Sequence, residues 1–178
     1  SINIASTNTG GGSINLTGNV ANSHNQALLN INSAAGKITQ VDNTTLKSEI
    51  VNLTAKDDIK NIHIASIGTA TKDASGNVIS VNDSIKLSAV STGKGDIDFT
   101  AVGGLLNNQS LPGNVEIVAL KSQDGNNAFS KTADLGDVTL TANGNITQSG
   151  TGAVVEGRGI NLTSKNGGIG TAEQALTI

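Results

Sequence analysis

The sequence predicts an all-β fold of the solenoid kind, a parallel β-helix of about eight irregular rungs with projecting loops or hairpins. Three observations predict it. The first is a short alternating unit: Val138, Leu140 and Ala142 point one way and Thr139 and Thr141 the other, because side chains alternate along an extended backbone. Ile160, Leu162 and Ser164 against Asn161 and Thr163 repeat that layout 22 residues later. The same signature stands at Ile14/Leu16/Gly18, Leu29/Ile31/Ser33, Val51/Leu53/Ala55, Ile85/Leu87/Ala89, Ile97/Phe99/Ala101 and Val115/Ile117/Ala119, eight copies in all, with Ile2/Ile4/Ser6 a ninth. Steps of 22 and 23 residues recur; a step of 34 reads as a rung with an insertion and one of 12 as a half-rung. The second observation is that the third inward residue is always Ala, Ser or Gly, as a narrow coil turning a corner requires.

Composition is the third. The 178 residues include 22 Gly, one Pro, two Phe and no Cys, Met, Trp or Tyr. A globular core ordinarily draws on aromatics and Met, whereas a coil about 10 Å across inside is filled by Val, Ile, Leu and Ala. Hydrophobic residues reach 36% against 14% charged, and they alternate, which separates the chain from disordered segments. Units of this length stack because none can bury its apolar face alone, and no stretch sustains a helical period. Stacking in parallel register about 4.8 Å apart is expected to place Val138 over Ile160 and Leu140 over Leu162. The length suits a single domain.

In chain order, residues 1–4 begin within the pattern, and residues 9–12 turn into the Ile14 strand. Residues 27–41 make a full rung with a short second unit at Ile38; Gly36-Lys37-Ile38-Thr39-Gln40 is close to Gly144-Asn145-Ile146-Thr147-Gln148. Residues 58–84 are the least regular and are expected to project, with Ala74-Ser75-Gly76-Asn77 as a hairpin turn between residues 68–72 and 78–81. Residues 91–95 form a flexible turn. Residues 103–113 are a second projection, where Pro112-Gly113 suits the centre of a type II turn. There Leu105, Leu106 and Leu111 either fold back over an outer face or stand exposed for a partner. Residues 121–136 are a third, with its tip at 122–127 and Phe129 packing it down. The chain stops within the pattern at Leu176-Thr177-Ile178, so both ends are expected to be open strand edges and the chain a segment of a longer protein.

The run G-D-V-T-L-T-A-N-G-N-I-T-Q of residues 136–148, followed by I-N-L-T-S-K-N-G-G-I-G-T of residues 160–171, resembles the shaft repeats of filamentous haemagglutinin-like exoproteins. These are large bacterial adhesins exported by two-partner secretion, a group that also includes contact-dependent inhibition stalks and haem-acquisition exoproteins. The resemblance covers residues 136–178 well and the rest loosely. It implies a right-handed β-helix outside the cytoplasm, secreted or on the surface of a Gram-negative bacterium, and an outer-membrane transporter as a transient partner. The Asn-Pro motifs of that family's amino-terminal secretion domain are missing, since Pro112 stands in Leu-Pro-Gly, so the resemblance places the chain inside the shaft.

Little in the sequence points to chemistry. His24 and His63 lie far apart without metal-site spacing. Asp57/Asp58, Asp96/Asp98 and Asp134/Asp137 are candidates for calcium, but acidic residues at turns ordinarily cap and solvate them, and neither an EF-hand nor a Gly-Gly-x-Gly-x-Asp repeat occurs. No cofactor is expected. Polysaccharide cleavage needs carboxylates gathered on one face. The outward column read from the repeat is Asn15, Asn30, Asn52, Lys86, Asp98, Glu116, Thr139 and Asn161, which would make Asp98 and Glu116 neighbours beside Lys86, a surface pairing rather than a catalytic one. Arg158 is expected at a corner. Seven Asn-x-Ser/Thr sequons occur, at Asn15, Asn43, Asn52, Asn82, Asn108, Asn145 and Asn161; stacked Asn and Thr can instead form side-chain ladders. A flat threonine surface for ice is offered only by Thr139/Thr141 and scattered neighbours.

Net charge −3, a single Arg and almost no aromatics speak against nucleic acid as a partner, and no apolar run reaches membrane-spanning length. The absence of Cys removes a disulfide framework without removing export. The expected function is a structural and adhesive shaft, non-enzymatic and monomeric, attaching to a host or neighbouring cell-surface protein or glycan. The alternatives are the stalk of a contact-dependent toxin-delivery protein and a glycan-binding β-helix module in which one projecting loop carries recognition.

Overall fold

The structure, a computed structural model, describes residues 1–22, 26–106, 108–125, 134–171 and 176. Among them the chain winds through six turns, each turn laying strand on two parallel sheets. Sheet A runs β1 (Ile2–Ser6), β4 (Leu28–Ser33), β7 (Ile50–Ala55), β11 (Ile85–Ser91), β15 (Val115–Ser122) and β17 (Ile146–Gln148), with β18 (Val154–Glu156) also on β15. Sheet B runs β2 (Ile14–Leu16), β5 (Ile38–Gln40), β8 (Ile59–Ala65), β12 (Ile97–Val102), β16 (Val138–Ala142) and β19 (Ile160–Ser164). The short β3 (Val20–Ala21) pairs β6 (Leu46–Lys47), which pairs β8. The fold is an all-β solenoid.

Its core is a set of aliphatic columns between the sheets. On sheet B, Ile14, Ile38, Ile59, Ile97, Val138 and Ile160 stand in one register line. On sheet A, Ile4, Ile31, Leu53, Ala89, Leu120 and Val155 stand in another. Val138 pairs Ile160 and Leu140 pairs Leu162, as the repeat requires. Phe99 lies between Ile62 and Leu140, fully buried. Each such side chain contributes about 1.5–3 kcal/mol by leaving water. At the two ends of the stack Ile2, Ile4, Ile14, Val20, Ile160 and Leu162 are only partly buried.

The turn count differs from the expected eight rungs because copies of the motif fall on both sheets. Those at Ile2, Leu29, Val51, Ile85 and Val115 are in sheet A; those at Ile14, Ile97, Val138 and Ile160 are in sheet B. The single outward column read from the sequence therefore separates into two. Asn30, Asn52, Lys86 and Glu116 lie on sheet A, and Asn15, Asp98, Thr139 and Asn161 on sheet B. Lys86 pairs Glu116 in register, and Asp98 pairs Thr139.

The corners explain the small residues. Ser6, Ser33, Ala55, Ser91 and Ser122 form one register line at the end of sheet A. Hydroxyls suit it because they serve corner backbone groups: Ser33 Oγ donates to Gly12 O at 2.6 Å, and Ser91 and Ser122 Oγ accept from Gly95 and Gly136 N, each at 2.8 Å. The corner residues here are Ser91 and Ser122, where the sequence pointed to Ala89 and Ala119. Ala89 lies mid-strand over Leu53. The register between β11 and β15 shifts after Leu87, so Ala119 pairs the outward Ser88 and Leu120 takes the inward place, as an extra bulged residue requires. Next to these serines Gly136 passes directly over Gly95: a Cβ on Gly136 would meet Gly95 O at 2.4 Å.

Residues 59–65, expected within the projecting stretch 58–84, are the core strand β8; the register shift at Asn61 (φ 58) causes its broken alternation. Lys121 and Ser122, expected in the third projection, end strand β15. Much of that third projection, including Phe129, lies outside the described residues, as do His24, Thr177 and Ile178.

Candidate functional site

Two antiparallel hairpins leave the same corner of adjacent turns, where sheet B passes to sheet A. The first joins β9 (Thr69–Lys72) to β10 (Val78–Asn82), and the second joins β13 (Gly104–Leu106) to β14 (Gln109–Leu111). Asp73 builds the first turn. Its Oδ1 accepts from Ser75 N at 2.9 Å and Asn77 N at 2.8 Å, and Gly76 takes the positive φ of 85° that closes it. The amides of Asn77 hold the Asp73 carboxyl below the usual carboxylate range. Where the second hairpin rejoins the coil after β14, Gly113 has φ 78, the left-handed conformation expected after Pro112 in a type II turn.

The second hairpin packs on the root of the first, at the residue before β9. Gly68 (φ 66) lies so close beneath the second hairpin that a Cβ there would meet Leu111 Cδ1 at 2.9 Å and Leu106 Cδ2 at 3.1 Å. At their base the buried Asp83 accepts from Gly113 N at 2.9 Å and from Asn114 Nδ2 at 2.5 Å. The three leucines have different fates: Leu111 is 4% exposed, Leu106 is half-buried, and Leu105 is 72% exposed. Val78 on the neighbouring hairpin is 41% exposed. No ionisable residue occurs from Phe99 to Val115, so the second hairpin is uncharged.

The opposite corner is charged. Asp58, Asp96 and Asp137 stack in one column: Asp96 N donates to Asp58 Oδ1 and Asp137 N to Asp96 Oδ1, both at 2.9 Å. Lys60 Nζ lies 2.7 Å from Asp96 Oδ2 and 3.8 Å from Asp58 Oδ2. Arg158 closes the column on Asp137, with Nε at 2.9 Å and Nη2 at 2.7 Å. The hydrogen bond from Lys60, followed by that from Asp137 N, holds Asp96 below the usual range, and the Arg158 guanidinium does the same to Asp137. Lys60 is raised in turn, chiefly by its bond to Asp96. These oxygens are occupied by amides and cations, the capping role expected of turn carboxylates. Among the described residues no group of three or more His, Asp or Glu is placed to hold a metal ion. The column went unread in the sequence, although the recurring Gly95-Asp96 and Gly136-Asp137 pairs carry its signal.

Other singled-out residues separate. Asp98 and Glu116 lie on opposite sheets and form no carboxylate pair. Arg158 is a corner residue. His63 stands beside Thr100 in register; its backbone N–H donates to Gln40 Oε1 at 2.9 Å, and its buried Nδ1 has no partner among the described residues. Thr100, Thr141 and Thr163 form a register line beside Asp98, Thr139 and Asn161, a longer outward row than the sequence suggested, three turns in length. The sequon residues differ in availability: Asn52 Nδ2 donates to Asn30, Asn15 Oδ1 accepts from Thr39, and Asn145 Oδ1 accepts from Gly168 N. Asn43 and Asn108 stand exposed in turns at positive φ. No helix among the described residues is long and apolar enough to cross a membrane.

Comparison of the chain with protein-family models, with curated proteins and with solved structures finds no match, and its own geometry describes it: a repetitive all-β solenoid-like module with a paired hairpin projection at one corner and a carboxylate column at the other.

Proposed function

We propose that this module belongs to the shaft of a large secreted or surface-exposed bacterial adhesin, and that its paired hairpins touch the host or neighbouring cell. The observation that carries the reading is the projection itself. The second hairpin seats Leu106 and Leu111 on Gly68, at the root of the first, and holds Leu105 out in water. A large exposed aliphatic on an uncharged hairpin suits contact with a protein surface. The stacked columns supply stiffness. Export through an outer-membrane transporter and a place outside a Gram-negative cell follow from the resemblance of residues 136–178 to haemagglutinin-like shaft repeats. No catalytic step is assigned to the chain, which acts as a monomer.

The test is attachment of cells to the immobilised protein. Leu105→Asp and Leu105→Ser, at a side chain that is 72% exposed, should each lose most attachment while keeping the parent melting temperature. Undiminished attachment by both variants would overturn the hairpin as the contact surface.

A further inference from the structure

Two Asn-Gly pairs occupy the same corner on successive turns, Asn143-Gly144 on the fifth and Asn166-Gly167 on the sixth. Such pairs are the chemically weakest links in a polypeptide, because the following amide nitrogen can attack the side-chain carboxamide when no Cβ hinders it. The attack needs a free amide and a backbone able to fold into a five-membered ring. The solenoid treats the two pairs differently. Gly144 N donates to Gly113 O at 3.1 Å, and Asn143 N to Ala101 O at 2.9 Å. Asn143 Nδ2 donates to Pro112 O at 3.0 Å. At the sixth turn Lys165 N, Asn166 N and Gly168 N are all engaged, yet Gly167 N has no partner among the described residues. One contact holds the Asn166 carboxamide: Nδ2 donates to Asn143 Oδ1 at 3.0 Å.

We propose that Asn166 is a self-modification site of this protein, converting to aspartyl and isoaspartyl forms in the folded state while its stacked counterpart Asn143 is protected. Gly167 N bonds to Asn166 Cγ, the Cγ–Nδ2 bond breaks, and the amide leaves as ammonia, carrying the proton lost from Gly167 N. One water then opens the succinimide at either carbonyl. Neither an enzyme nor a redox partner enters the balance. The product carboxylate has no N–H to give Asn143 Oδ1, and the iso form adds a backbone atom between residue 166 and Gly167, one residue before Gly168, whose amide bonds Asn145 Oδ1 at 2.8 Å. Modification thus loosens the corner contacts of the sixth turn on the fifth.

The experiment is incubation of the intact protein at mildly alkaline pH, well below its melting temperature, with peptide mapping by mass spectrometry and isoaspartyl-sensitive fragmentation. Asn166 should convert at least about tenfold faster than Asn143, the factor expected when one amide is free and the other needs local opening. A parallel incubation in denaturant should bring the two rates together. Equal rates in the folded protein would overturn the proposal. So would a ratio that persists in denaturant, since sequence context alone would then set it.

Discussion

Asn52 Nδ2 donates to Asn30 Oδ1 at 3.0 Å, and Asn30 Nδ2 donates to Asn3 Oδ1 at 2.8 Å, so one amide on the face of sheet A clasps the turns on either side of it. Asn30→Ala removes both bonds and should cost about 1 kcal/mol, the usual worth of partly solvated neutral bonds. Asn32→Ala, at an exposed site two residues on, should change stability by less than about 0.5 kcal/mol. Denaturant melts followed by the β-sheet circular-dichroism signal compare the two, and equal losses would deny the ladder its role.

The aliphatic columns allow little repacking, since Leu140 lies between Phe99 and Leu162 with no exposure. Leu140→Ala should cost about 2–5 kcal/mol. Hydrogen exchange should then show the loss concentrated in β12, β16 and β19, because each turn is held chiefly by its neighbours.

Glycines give a matched pair. At Gly136 a Cβ would press on the backbone of Gly95, which cannot move aside, whereas at Gly152 nothing lies within 4 Å. Gly136→Ala should destabilise by about 1–3 kcal/mol. Gly152→Ala should be neutral or stabilising by up to about 1 kcal/mol through a less flexible unfolded chain. Thermal melts read both.

Acid should weaken the carboxylate corner. Asp96 and Asp137 are held below their usual range in the folded protein, so the stability they supply is present above the unfolded carboxylate value, about 3.9, and is lost as pH falls through their lower folded values. Asp96→Asn keeps an oxygen for Asp137 N but loses the ion pair to Lys60. It should be less stable than the parent near neutral pH, by under about 1 kcal/mol for so exposed a pair. That difference should shrink as pH falls below the unfolded carboxylate value, about 3.9, and be lost below the lower folded value. A difference independent of pH would remove charge from the explanation.

The solenoid was legible because its alternation is local. Val138, Leu140 and Ala142 announce an inward face within five residues. Which sheet a strand joins is not local: Ile38-Thr39-Gln40 lies in sheet B and the identical Ile146-Thr147-Gln148 in sheet A. The tripeptide is the same, and only the length of chain since the last corner assigns its place. The hairpin at residues 69–82 was readable from its Gly76 turn, and the type II turn from Pro112-Gly113. The carboxylate column was not, because Asp58, Asp96 and Asp137 stand 38 and 41 residues apart and meet only through coiling. The outward carboxylates were misplaced for the same reason, since a bulge and an unseen change of sheet shift residues that a regular period would align.

Stacked neighbours are 22 residues apart at Asn30 and Asn52 but 41 apart at Asp96 and Asp137, yet each pair is separated by one strand spacing, about 4.8 Å. Contour length and rise are thus uncoupled. The rod works as a ruler graduated in windings, and sequence inserted at a corner widens it sideways without moving the next mark. Decoration can therefore be gained, lost or exchanged while the height of the stack stays fixed.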